Sequence, residues 1–232
     1  MFFPELIKSI KPTNRVLEIG PGGTPYSRSD IFLEITIKDK KIAKLQRGNT
    51  EKLITNKPVI YYEGKRFPFS DNEFDYVICS HVLEHIEDIE FFISELFRIA
   101  PRGYIEYPTI YYEYLYNIPV HLNFLKFKNN TLFYLKKTNT HFFEFWPVQK
   151  FFFESLNKGY SKIIEDLKEF LFEGFEWLTP FSIKKTNSIN DLIFDKFFID
   201  KFFINPSKEI KTSQKTEGLI IKKIKNVFFK NK

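Results

Sequence analysis

The sequence predicts an α/β fold built on a mostly parallel, doubly wound sheet with helices on both faces. Three observations carry this. Short apolar segments alternate with segments of helical apolar spacing over residues 1–108. Residues 16–23 read V-L-E-I-G-P-G-G, an apolar run entering a glycine-rich turn. Residues 74–79 are nearly all apolar, as a strand buried on both faces must be. Strands that alternate with helices imply crossover connections, and crossovers make neighbouring strands parallel.

Each element follows from its local pattern. Residues 2–10 have helical apolar spacing and predict a helix covering one sheet edge. Strands are expected at 15–19, 31–37, 58–62 and 74–79, with a helix at 38–46 that breaks at Gly48 and Asn49. Apolar residues at 89, 92, 93, 96, 97 and 100 form a helical stripe, which Pro101 and Gly103 stop. Residues 104–107 form a fifth strand, closed by Pro108, that delivers Glu106 and Tyr107 to the carboxyl edge of the sheet. Beyond Thr109 the character changes, with Tyr111, Tyr112, Tyr114 and Tyr116 crowded together. Residues 121–127 and 131–135 predict a hairpin turning at Asn129 and Asn130. Residues 147–172 read as helical, with a break near Gly159.

The chain is read as one domain, residues 1–232. Residues 109–180 form an aromatic-rich insertion or cap on the acceptor side. Residues 182–232 form a basic segment supplying the last strands, with 218–223 as the candidate. A short repeat, D-K-F-F-I, occurs at 195–199 and 200–204.

Composition narrows the classes. A hydrophobic content of 43% excludes wholesale disorder. No apolar run approaches the roughly 18 residues of a membrane-spanning helix. The opening M-F-F-P-E-L-I-K lacks the order of a signal peptide. Cys79 is the only cysteine, which excludes an internal disulfide and a thiolate metal cluster, and a cytoplasmic location is expected. The net charge of +6 is uneven: 12 basic and 5 acidic residues lie from Ser182 onward, against 23 and 24 before it. The basic tail is a candidate contact for RNA or an anionic membrane surface.

In open α/β sheets, ligands bind beyond the carboxyl ends of the strands, near the point where strand order reverses. Gly20 and Gly22 permit close backbone approach there, and Glu18 supplies an anionic acceptor. Glu34 ends the second strand, where a carboxylate accepts from two ribose hydroxyls. Glu63 follows the third, within reach of an adenine amino group. Ser80 and His81 follow the fourth.

These residues resemble a class I S-adenosylmethionine-dependent methyltransferase of the type 11 group. The resemblance rests on V-L-E-I-G-P-G-G, on F-P-F-S-D-N-E-F-D-Y-V-I-C-S-H-V-L-E-H-I-E-D from residue 67, and on R-I-A-P-R-G-Y-I-E-Y-P at 98–108. It implies a Rossmann-like seven-stranded sheet that binds S-adenosylmethionine through Glu18, Gly20, Gly22, Glu34, Glu63 and Ser80, with His81 beside them. The family's turn usually has a third small residue, where Thr24 stands here before Pro25. Glu34 and Glu63 stand where aspartate is common. Only fourteen positions separate Gly20 from Glu34, so the first crossover must be very short or irregular.

His85 and His121 are the candidate catalytic residues. His81 and His85 lie one helical turn apart, a ligand-like spacing, but no third ligand is apparent and no metal is expected. A histidine near the donor methyl suits a general base. The expected activity is methyl transfer to an oxygen or nitrogen of a small molecule or sugar, as in surface-glycan or lipid biosynthesis. The alternatives are an RNA or protein methyltransferase using the basic tail, and a non-catalytic module that keeps the fold.

Overall fold

The computed structural model describes residues 1–37, 55–196 and 198–199. Two compact units divide the chain, residues 1–193 and 194–232. The first holds a six-stranded sheet and a separate three-stranded sheet.

The large sheet comprises β1 (Val16–Ile19), β2 (Ile31–Ile35), β3 (Val59–Tyr62), β4 (Tyr76–Ser80), β5 (Gly103–Pro108) and β8 (Phe172–Trp177). Its order is β3-β2-β1-β4-β5-β8, and only β8 runs antiparallel to its neighbour. The order reverses between β1 and β4, which places the switch point where the sequence predicts it. The small sheet joins β6 (Asn123–Lys128), β7 (Thr131–Lys136) and β9 (Ser182–Lys185). Asn129 and Asn130 both have positive φ, near 51° and 54°, and close the predicted β6–β7 hairpin as a type I′ turn.

Among the described residues the large sheet has six of the seven strands expected. The proposed strand at 218–223 and the helix at 38–46 lie outside the described residues. The edge strand β8 comes from within residues 109–180, the segment read as an insertion. Its Phe172 and Trp177 are buried, and it pairs with β5 from Pro108↔Phe172 to Gly103↔Trp177.

Residues 2–10 do not form the predicted helix. They contain a single 3-10 turn, Pro4–Leu6. Carboxylates from the sheet capture N–H groups along this segment, including those of Lys8 and Ser9, which a helix would use. Phe2 and Phe3 N–H donate to Glu106 at 2.8 and 2.9 Å, and Lys8 and Ser9 N–H donate to Glu176 at 3.1 and 2.9 Å. Helical spacing of apolar residues is necessary for an amphipathic helix, but tertiary acceptors decided here.

The helix α1 (Ile89–Ile99) behaves as its stripe predicts. Asp88 caps it by accepting from Phe91 N–H at 3.0 Å, and Ile89, Phe92, Ile93, Leu96 and Ile99 are buried. Its Glu95 and Arg98 pin the segment before β4. Glu95 accepts from Phe67 N–H at 2.7 Å, and Arg98 donates to the Phe69 and Phe67 carbonyls at 2.7 and 3.1 Å. Phe67, Phe69 and Phe74 are buried in the main core. Much of the longest motif in the sequence is therefore architectural.

The remaining described helices are α2 (Ile110–Tyr116), α3 (Trp146–Asn157), α4 (Lys162–Asp166) and α5 (Lys168–Leu171). Gly159, with φ near 85°, marks the break between α3 and α4. Among the described residues, no helix is long and apolar enough to cross a membrane.

Candidate functional site

A cavity of about 330 Å³ opens at the carboxyl ends of β1, β2 and β4. Its lining includes Glu18, Gly20, Gly22, Glu34, Ser80, His81 and His85. Seven of the nine sequence-predicted site residues therefore share one wall. Glu63 does not belong to it. Glu63 is exposed, and the preceding Tyr62 lines the cavity instead. His121 also lies outside the lining, with its ring packed edge-on against that of His85.

The first crossover has no helix; residues 20–30 are turns and bends. Glu18 organises them from within. Its Oε2 accepts from Tyr26 N–H at 2.9 Å and from Ser29 Oγ at 2.7 Å. Burial raises its carboxyl pKa, and these two bonds only partly offset that. Glu18 thus holds the loop that forms the cavity floor. Gly20 donates its N–H to the Leu33 carbonyl at 2.9 Å, and its φ is near +60°. A Cβ there would meet Val82 Cγ2 at 2.8 Å, so this glycine serves the packing of the turn against the β4 turn. Gly22, at φ near +59°, has no atom within 4 Å of its Cβ position. It is the glycine that leaves room for a ligand. Glu34, buried at the end of β2, lines the same space.

The chain leaves β4 through His81, whose φ of 57° is left-handed. Glu106 on β5 holds it there. The Glu106 carbonyl accepts His81 N–H at 2.8 Å, and its carboxylate lies 2.9 Å from His81 Nε2. Ser80 Oγ and Tyr104 Oη donate to the same carboxylate at 3.0 and 2.7 Å. Burial pushes Glu106 up, but the His81 partner and these donors outweigh it and hold it at about 2. Burial pushes His81 down, but Glu106 and Glu84 outweigh it and raise it to about 9. His81 is accordingly a cation at neutral pH, with Phe2 and Phe172 packed edge-on against its ring.

Next comes a 3-10 turn, Leu83–His85, clamped by the segment that follows α2. Asn123 Nδ2 donates to the Ile86 and Leu83 carbonyls at 2.7 and 3.3 Å, and Leu122 N–H donates to the Glu84 carbonyl at 2.6 Å. His85 Nδ1 lies 3.1 Å from the Val120 carbonyl. A carbonyl can only accept, so Nδ1 carries the proton and Nε2 the lone pair. Burial holds His85 below its ordinary pKa, and the ring is neutral at pH 7.

The same segment sets His121 against His85, with ring centroids 4.6 Å apart and nearly perpendicular. His121 Nδ1 bonds to Glu113 on α2, whose other oxygen accepts from Lys137 Nζ at 2.9 Å. Burial raises Glu113, but His121 and Lys137 bring it below the usual carboxylate range. Beside the two rings lies Glu84, 1% exposed, with neither carboxylate oxygen hydrogen-bonded among the described residues. Its Oε1 is 3.5 Å from His81 Nδ1. Glu84 and Glu113, which the sequence reading did not single out, join Glu106 around these histidines. The available signal was an acid standing inside an otherwise apolar segment, as in I-E-Y and Y-Y-E-Y-L.

Residues 17–105 match the family model of the methyltransferase domain. This segment is a methyltransferase domain. The chain is 33% identical over 100 residues to the uncharacterized protein MJ1123 of Methanocaldococcus jannaschii, covering 43% of this chain and 45% of that one. It is 24% identical over 179 residues to a demethylmenaquinone methyltransferase of Streptomyces avermitilis, covering 68% and 74%. A solved S-adenosylmethionine-dependent methyltransferase of Methanosarcina mazei is 18% identical, with a TM-score of 0.35, over 54% of this chain and 72% of that one. The match to the Methanocaldococcus protein thus spans less than half of its length. The cavity wall lies almost wholly within the matched residues. It has a carboxylate at the end of β2, an open glycine at the first turn, and a concave space between them.

Proposed function

We propose that this protein transfers a methyl group from S-adenosylmethionine to an oxygen or nitrogen of a small molecule or sugar. The observation that carries the reading is the cavity at the switch point, where Glu34 and the open Gly22 face the same space. Glu34 would accept from the ribose hydroxyls, and the turn at Gly22 would admit the close approach of the donor. Ser80 and His81 sit where the adenosine or its sulfonium arm would lie. The donor supplies an already activated methyl group. What remains for the chain is to orient the acceptor and take up its proton.

His85 is suited to the proton, because it is neutral, lines the cavity and has its lone pair on Nε2. His121 is a positioning residue, bonded through Glu113 and packed against the His85 ring. Phe172 and Phe2 press on His81 at the same edge, and this apolar border suits a planar or sugar-like acceptor. The likeness to a demethylmenaquinone methyltransferase supports a small-molecule acceptor rather than a macromolecule.

Calorimetric titration with S-adenosylmethionine and S-adenosylhomocysteine tests the reading. One equivalent of each is expected to bind, and Glu34→Gln is expected to weaken both. Absence of binding by the folded protein would refute it and favour a non-catalytic module.

A further inference from the structure

We infer that Glu84, His85 and His121 form a binding site for one divalent transition-metal ion at the wall of the donor cavity. One carboxylate oxygen and one ring nitrogen from each histidine lie within 4.8 Å of one another. Donors bound tetrahedrally at about 2.1 Å stand about 3.4 Å apart, so modest ring rotation closes the set. The residues come from two separate parts of the chain. The Leu83–His85 turn supplies two of them, and the segment after α2 supplies the third.

Two features point to an ion rather than to packing. The Glu84 carboxylate is 1% exposed, and both oxygens lack a hydrogen bond among the described residues. Its Oε1 has His81 Nδ1 at 3.5 Å, whereas Oε2 is buried with no hydrogen-bond donor among the described residues, a position that calls for a ligand. Each histidine has its Nδ1 engaged by an oxygen acceptor, Val120 O for His85 and Glu113 for His121. That is the outer-shell pattern of metal-bound histidine, which fixes the tautomer and leaves Nε2 as the ligand. The outer shell is itself anchored, since Lys137 Nζ donates to Glu113 at 2.9 Å and to the Ile118 carbonyl at 2.7 Å.

Two imidazoles and one carboxylate select a first-row divalent ion such as zinc, cobalt, iron(II) or manganese over magnesium or calcium. Three protein ligands leave coordination positions open. His85 lines the cavity, so those positions are available to water or to an acceptor oxygen. With the ion in place the His85 lone pair is a ligand and not a base. This last role rests on the methyltransferase reading; the ion site does not. His81 Nδ1 lies 3.5 Å from Glu84 Oε1, beside the proposed ligand set.

The test is a titration of the chelator-stripped full-length protein with cobalt(II), followed by visible absorption, with zinc as competitor. One equivalent is expected to give ligand-field bands, which zinc abolishes. Glu84→Gln and His121→Ala are expected to weaken cobalt binding at least a hundredfold. Glu113→Gln keeps all three ligands and is expected to weaken it about tenfold. His141→Ala alters an exposed histidine elsewhere and should bind as the parent does. Circular dichroism establishes that each variant is folded. If Glu84→Gln does not fold, His121→Ala and Glu113→Gln decide the matter. No stoichiometric binding by the parent protein overturns the inference, as does equal affinity in folded His121→Ala. Parallel titration with S-adenosylhomocysteine separates the two claims. Nucleoside binding without cobalt binding removes the ion site alone, and the reverse removes the methyltransferase reading alone.

Discussion

Replacing Glu106 with glutamine should destabilise the protein by about 3–5 kcal/mol at neutral pH. The carboxylate is fully buried and accepts from Phe2 N–H, Phe3 N–H, Ser80 Oγ and Tyr104 Oη, with His81 Nε2 at 2.9 Å. Phe2, Ser80 and His81 meet Oε1, whereas Phe3 and Tyr104 meet Oε2. Glutamine can put its oxygen on only one side. Its amide then faces donors on the other, and a buried donor left unmade costs about 1–3 kcal/mol. The bonds that survive lose their charge assistance, worth about 1 kcal/mol each. An independent route gives the same scale. A carboxyl held at about 2 instead of 4.5 stores about 3 kcal/mol of pairing.

The pH dependence has a definite sign. Because Glu106 is depressed, its contribution is fully present above pH 4.5 and fades as pH falls toward about 2. The same ion pair raises His81 from 6.5 to about 9, so that contribution is complete below 6.5 and is lost as pH rises through about 9. The gap between parent and variant should therefore be widest from pH 4.5 to 6.5 and shrink on both sides. Urea denaturation across pH 3–9 measures it. At a slope of about 2 kcal/mol per molar urea, the midpoint should move by more than about 1 M. A loss under about 1 kcal/mol at pH 6, or a gap that widens in acid, would refute the assigned role of this carboxylate.

The two glycines of the first turn should behave differently. Gly22→Ala should weaken S-adenosylhomocysteine binding about tenfold with about 1 kcal/mol of backbone strain, whereas Gly20→Val should destabilise the fold itself, because its side chain meets Val82. Paired calorimetry and thermal unfolding distinguish them, and equal effects on both readouts would argue against the division. Glu34→Gln should reduce nucleoside affinity by about 1–3 kcal/mol without lowering stability by a comparable amount; unchanged affinity would remove Glu34 from the donor site. Asn123→Ala should cost about 1–3 kcal/mol, because the Ile86 and Leu83 carbonyls lose their donor. Faster amide exchange in residues 83–86 would trace that loss to the His85 turn.

The large sheet was legible because its cause is local. Strands buried on both faces must be apolar, and a glycine turn after an apolar run is visible in the letters. The hairpin at Asn129 and Asn130 was legible for the same reason, since left-handed backbone at two successive positions favours asparagine. The cavity wall followed from topology, because parallel strands deliver their carboxyl ends to one edge. What the sequence by itself determined is therefore the alternation, the switch point and most of the cavity wall.

Tertiary structure decided the rest, wherever one long-range polar contact outweighed a local preference. Residues 2–10 carry helical spacing, yet Glu106 and Glu176 capture their N–H groups from strands about a hundred or more positions away. Gly20 and Gly22 look alike in the sequence and part only because Val82 stands over one of them. The strand β8 reads as part of an insertion until its pairing with β5 is seen. His85 and His121 are thirty-six positions apart and meet because Asn123 and Leu122 bind the carbonyls of the Leu83–His85 turn. Glu84 has the same letter on a solvated surface as in a closed pocket. Only burial distinguishes it, and burial is a property of the packed chain.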